Sequence, residues 1–149
     1  MKYIDLTIPL GIGTPPWPTY EALQVKYFKR LAPNSADGQL LTHSNHLGTH
    51  LDGEIHFYTP GKDIASLELD FLVHEGVVVD LSDVCGDYDV YTSKMVEDRV
   101  EVKEGDILII HTGFHHFGWD MPYADEVRYM VKHPGPDREF AEWAKKKKL

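Results

Sequence analysis

Along "KYIDLTIPL", Ile4, Leu6 and Ile8 alternate with Tyr3, Asp5 and Thr7. That period of two predicts a half-buried strand, and Gly11, Gly13 and the "TPPWP" run predict a rigid, extended loop after it that carries Trp17. Farther on, "HEGVVVDLS" and "GDILIIHTG" are β-branched runs bounded by Gly and Asp, too short for helices, and they predict buried strands. Between them "YTSKMVEDR" predicts a helix that Thr92 or Ser93 can cap. "GPDREFAEWAKKKK" predicts a last helix, with acids in the first turn, lysines in the last, and Phe140, Trp143 and Ala144 on one face. Strands alternating with helices predict an α/β fold. A helix of this kind normally feeds the strand it covers, yet this one runs into Leu149 with no glycine cap and no following turn. The pattern therefore predicts a chain that stops mid-fold, the alternative being a terminal helix docked on the sheet.

Composition narrows the classes. A chain of 149 residues that is 42% hydrophobic fits one domain over 1–149 with a core of its own. Lys and Arg total 15 against 24 Asp and Glu, an acidic balance that repels a phosphate backbone and excludes nucleic acid as the expected partner. The N-terminal apolar run is short and broken by Asp5, so neither a signal segment nor a membrane span is predicted, and the expectation is a soluble, cytoplasmic protein. Cys85 is the single cysteine, so any metal must be held by nitrogen and oxygen. The acids around it in "DVCGDYD" raise rather than lower a thiol pKa, which argues against a nucleophile.

Nine histidines are present, and His43, His46, His50 and His56 fall within "THSNHLGTHLDGEIHF". His46, His50, Asp52 and His56 share parity and would leave an extended strand by one face. A straight strand nevertheless fails, because it would hold His46 and His50 about 13 Å apart. A helix fails too, since at about 100° per residue Asp52 and His56 swing away. A sharply bent backbone satisfies both constraints, and Gly48 and Gly53 stand where such bends can form, so 46–56 reads as a kinked strand or loop around an ion. Two imidazoles and a carboxylate suit zinc, manganese or ferrous iron with an open position. Such an ion lowers the pKa of bound water and polarises a carbonyl, leaving His56 to move protons. Metal-assisted hydrolysis is the expected chemistry, and His43, of opposite parity, reads as solvated or as a neighbour of the ligands.

The remaining candidates are less specific. Trp17 between prolines serves equally as a surface anchor or as a substrate contact. "HTGFHHF" closes a strand, where sites gather in α/β folds. Phe114, Phe117 and Trp119 read as pocket lining or core, and metal ligation by His111, His115 or His116 is the lesser reading. Asp106 after Gly105 reads as turn chemistry.

"HLGTHLDGEIHF" closely resembles the HxGTHxDxPxHF signature of the cyclase family of metal-dependent hydrolases. "IDLTIPL", "PPWP", "HEGVVVDLS", "GDILIIHTGF" and "HPGPDREFAEWA" echo the family in order and spacing, so the resemblance covers essentially the whole chain. It implies a swivelling β/β/α domain, dimeric or higher, whose members open amides, N-formyl amides or lactams. Residue by residue it implies His46, His50 and Asp52 as ligands of one or two zinc or manganese ions, His56 as general acid/base, and Trp17 as a substrate contact. Two departures accompany it. Gly53 and Glu54 stand where the family usually has Ala-Pro, and the family's later strand, with a further His and Glu ligand, has no counterpart here. The implied domain thus lacks its C-terminal part, and a separate C-terminal chain is a possible partner beside the homo-oligomer. The competing expectation is a metal-binding subunit or fragment that is inactive without a second polypeptide.

Overall fold

The computed structural model describes residues 2–149, which fall into two compact units divided between Leu51 and Asp52.

In the first unit, β1 (Gln24–Lys29) and β2 (Gly38–Thr42) form an antiparallel hairpin in which Gln24 pairs with Thr42 and Lys26 with Leu40, with a bulge between Tyr27 and Lys29. The connection holds α1 (Leu31–Asn34), which is broken by a non-helical Ala32 and ended by Ser35 at φ 60°. Arg30 lays its guanidinium over the Tyr27 ring at 3.5 Å. The segment before the hairpin corrects the sequence expectation, because residues 2–10 form no strand, and Ile4 and Leu6 are exposed. An alternating pattern becomes a strand only against a partner. Here the Asp5 carboxylate instead accepts hydrogen bonds from the Thr7 N–H and hydroxyl, at 2.9 and 2.6 Å. The loop that follows is ordered from within. Buried Thr14 accepts from the Gly11 N–H at 2.8 Å and donates from its hydroxyl to the Pro9 carbonyl at 3.1 Å. It then pairs Pro16 with Leu47 in an antiparallel bridge, while the Ile8 N–H donates to Thr49 Oγ1 at 2.9 Å. Two strap contacts thereby fix the backbone on which His46 and His50 sit.

The second unit carries α2 (Leu69–Leu72), β3 (Gly76–Asp80), β4 (Val90–Tyr91), α3 (Ser93–Glu97), β5 (Ile107–His111), α4 (Glu126–Val131), β6 (Gly135–Pro136) and α5 (Arg138–Lys147). β3 and β5 pair in parallel from Gly76↔Ile107 to Asp80↔His111, and β4 pairs with β6. Both long strands lie where their β-branched runs predicted. Val79, Leu81, Val96, Val102 and Phe140 form the core, flanked by Val77, Leu108, Ile110, Trp143 and Ala144. Fully burying Val79, Leu81 and Val96 contributes about 2 kcal/mol each. The expectation of strands buried on both sides holds for one face only, since Val78 on the other is 59% exposed. The fold is α/β, as predicted.

Helix ends explain the boundaries. Thr92 caps α3 by accepting from the Met95 N–H at 3.4 Å, and Asp137 caps α5 by accepting from the Phe140 N–H at 3.0 Å. Where no glycine was available to end α5, Lys148 takes the left-handed conformation at φ 56°, and Leu149 N–H reaches the Ala144 carbonyl at 3.1 Å. The helix docks on the core through Phe140, Trp143 and Leu149. Its end also grips the turn before β5. Lys147 Nζ donates to the Val102 carbonyl at 2.9 Å, and the Gly105 N–H donates to the Lys147 carbonyl at 2.8 Å. No helix among the described residues is long and apolar enough to cross a membrane.

Candidate metal centre

After β2 the chain leaves regular structure, and residues 43–53 run as a loop interrupted only by the bridge at Leu47. Gly48 takes φ +66°, a backbone state that side chains rarely adopt, and this bend folds the loop back between the two histidines. His46 Nδ1 and His50 Nε2 thereby lie 3.1 Å apart, with ring centroids 5.0 Å apart and nearly perpendicular. The other nitrogen of His50, Nδ1, donates to the Gly48 carbonyl at 2.9 Å, which fixes the tautomer and puts the ring's lone pair on Nε2. Tyr20 flanks His46, its ring centroid 5.3 Å away.

One ligand atom each from His46, His50 and Asp52 lies within 4.8 Å of the others. His46 is half-buried, while His50 and Asp52 are exposed. Two nitrogens and one carboxylate oxygen at this spacing fit a borderline divalent cation and leave further coordination positions to other ligands.

His56 follows Asp52 by four residues. It ends a 3-10 turn, Glu54–His56, and packs edge-on against Phe57 with centroids 4.2 Å apart. The turn is closed by the Ile55 N–H donating to the Lys62 carbonyl at 3.2 Å and by the Lys62 N–H donating to Glu54 Oε2 at 3.2 Å. Glu54 therefore has a structural task in its own turn. The bend expected at Gly53 is absent, since its φ is −88° and its backbone is extended. The glycine serves packing instead, because a Cβ there would stand 3.1 Å from Ile64 Cδ1. Gly61 is tighter still, as a Cβ would meet the Tyr58 carbonyl oxygen at 2.5 Å and Glu54 C at 2.6 Å. Trp17 lies after the Pro16 bridge, 45% exposed, and its carbonyl accepts from the Tyr20 N–H at 2.8 Å.

The Cyclase family model, described as "Putative cyclase", matches residues 4–149. The chain belongs to the Cyclase family. A kynurenine formamidase of Erythrobacter litoralis is 33% identical over 118 residues, covering 77% of this chain and 52% of that protein. A kynurenine formamidase of Bacillus anthracis is 31% identical over 88 residues, covering 56% of this chain and 40% of its own length. Among solved structures, an isatin hydrolase bound to the product analogue thioisatinate superposes with a TM-score of 0.78 at 21% identity, over 97% of this chain and 63% of that one. Isatin hydrolase A from Ralstonia solanacearum gives 0.76 at 19% identity, over 95% and 61%. These likenesses show the swivelling β/β/α fold of the Cyclase family. The chain spans about half the length of the Erythrobacter protein.

Sequence reasoning missed two features of the structure. Tyr20 beside His46 carries no motif that would announce it. The contact of His111 with His115 and Asp80 did leave a signal, because "HTGFH" repeats the His-x-Gly-x-His spacing of "HLGTH".

Proposed function

We propose that the chain is a metal-dependent hydrolase acting on the C–N bond of a small amide, N-formyl amide or lactam. The observation that carries this reading is the convergence of ligand atoms from His46, His50 and Asp52 within 4.8 Å. Membership of the Cyclase family and relatives named as formamidases support it.

His46, His50 and Asp52 would hold the ion, zinc or manganese, as one ion or two. When bound, such an ion supplies a Lewis acid for a carbonyl oxygen and lowers the pKa of water. The chain's own side chains do the rest. Gly48 holds the two imidazoles nearly perpendicular with their nitrogens adjacent, and its carbonyl keeps His50 in the ligand tautomer. The Asp52 carboxylate offsets the positive charge. His56 is the proton carrier, since an imidazole can take a proton from water and return it to the leaving nitrogen near neutral pH. Trp17, held by its proline-rich loop, offers an aromatic surface to the substrate. The same reading includes self-association as a dimer or tetramer, which light scattering checks.

The test is hydrolysis of N-formyl arylamines and of lactams by the zinc- or manganese-loaded chain. His50→Ala is expected to lose both the metal and turnover, whereas His56→Asn keeps the metal and loses turnover. Undiminished hydrolysis by His50→Ala overturns the proposal. A second reading rests on the three-residue ligand group of a chain that spans about half its relative. In it the chain binds metal but hydrolyses nothing until a second polypeptide is added. Turnover by the purified chain alone rejects that reading.

A further inference from the structure

A second pair of imidazoles lies at the end of β5. His111 closes the strand, Gly113 reverses the chain at φ +80°, and a 3-10 turn, Phe114–Phe117, carries His115 and His116. His111 Nε2 and His115 Nδ1 lie 3.3 Å apart, with ring centroids at 5.1 Å. The local design repeats that of the first pair. In both, histidines four apart flank a glycine of positive φ two residues after the first histidine, at Gly48 and at Gly113. The nitrogen separations, 3.1 and 3.3 Å, are nearly the same.

The surroundings of this pair are those of a ligand site. Asp80 is the register partner of His111 on β3, and its Oδ1 lies 3.2 Å from His111 Nδ1. The Ser82 N–H and hydroxyl both donate to that carboxylate, at 2.9 and 2.6 Å, and these bonds hold its pKa below the usual range. An ionised Asp80 takes the Nδ1–H of His111 and turns its Nε2 lone pair towards His115, the carboxylate–histidine arrangement that orients metal ligands. Two nitrogens at about 2.05 Å from one tetrahedral ion stand about 3.3 Å apart. The turn is also held from outside. Phe114 is buried, and the Arg128 guanidinium lies over the Phe117 ring at 4.2 Å. His116 packs on His115 with ring centroids 4.0 Å apart, which adds a further imidazole at the rim.

We propose that His111 and His115 form a second, open site for a divalent transition metal, with Asp80 positioning His111. The ion takes the place of the proton shared between the two rings, and His115 carries its own proton on Nε2 instead. Two imidazoles favour copper, nickel and zinc over magnesium or calcium, with copper(II) bound most tightly. The remaining positions belong to water or to an added ligand. This site is independent of the hydrolase reading, because it uses none of the residues assigned there.

Copper(II) titration of the full chain in a His46→Ala/His50→Ala background, followed by electron paramagnetic resonance, tests it. The expected result is one copper per chain with nitrogen ligation. Adding His115→Gln weakens binding at least tenfold, adding Asp80→Asn weakens it about tenfold, and adding His43→Gln changes nothing. In the unsubstituted chain, substoichiometric copper is expected to broaden the His111 and His115 ring resonances as well as those of His46 and His50, a readout that needs no variant. The site is overturned if the double variant binds no copper, if its copper survives His111→Gln and His115→Gln unchanged, or if the His111 and His115 resonances stay sharp.

Discussion

His46 and His50 face each other across 3.1 Å because the residue midway between them, Gly48, takes φ +66°. A Cβ at Gly48 would find ordinary room, its nearest neighbours being Leu10 Cδ1 at 3.5 Å and Ile8 Cγ2 at 3.6 Å. Substitution therefore acts through the backbone state alone. Gly48→Ala is expected to cost about 1 kcal/mol of stability and to weaken zinc binding at least tenfold in competition with a chromophoric chelator. Gly48→Asn should be milder, since Asn visits this conformation. Equal zinc affinity in Gly48→Ala and the parent chain would remove the bend as the cause.

The turn that carries His56 rests on Gly61, whose missing side chain lets the backbone of Glu54 and Tyr58 close on it. Gly61→Ala forces backbone apart at 2.5–2.6 Å, and the expected loss is about 1–3 kcal/mol, read as a lowered melting temperature. An unchanged melting temperature would mean that the turn relaxes freely.

Legibility in the sequence followed self-sufficiency. β3, β5 and α5 were legible because their apolar faces meet within one core, at Val79, Ile110 and Phe140. Residues 3–8 have the alternation of a strand but no partner ladder among the described residues, and Asp5 diverts the Thr7 N–H. Gly48 and Gly53 look alike in sequence, yet one bends the chain and the other admits the Ile64 side chain. Only the packing around each decides. The contact of His111 with Asp80 stayed hidden because Asp80 arrives from another strand.

Glu139 joins α5 to the start of α3. It accepts from the Ser93 N–H at 3.1 Å and from the Ser93 hydroxyl at 2.5 Å, and Ser93 is buried. Glu139→Ala leaves both donors without that partner, so a loss of about 1–3 kcal/mol is expected in urea denaturation. In a double-mutant cycle with Ser93→Ala the two losses should fall well short of adding. Full additivity would show that the pair is not coupled.

Cys85 is partly buried, and that burial, followed by the charge of Asp89, pushes its thiol pKa up, with Arg99 opposing. A raised pKa means less thiolate at neutral pH, so alkylation by iodoacetamide at pH 7.5 should run slower than for a free thiol and accelerate only in alkaline buffer. Rapid labelling at pH 7.5 would contradict this assignment.

The grip of α5 on the turn before β5 has a consequence for the order of assembly. Val79 and Leu81 share one core with Phe140, and Lys147 holds the turn at Val102 and Gly105 that launches β5. During synthesis, then, the strands can be made long before they can be locked. Until α5 leaves the ribosome, β3 and β5 are two apolar segments waiting for a lid. Closure of this unit therefore waits for α5, and until that helix is made the two nascent strands need protection from their neighbours.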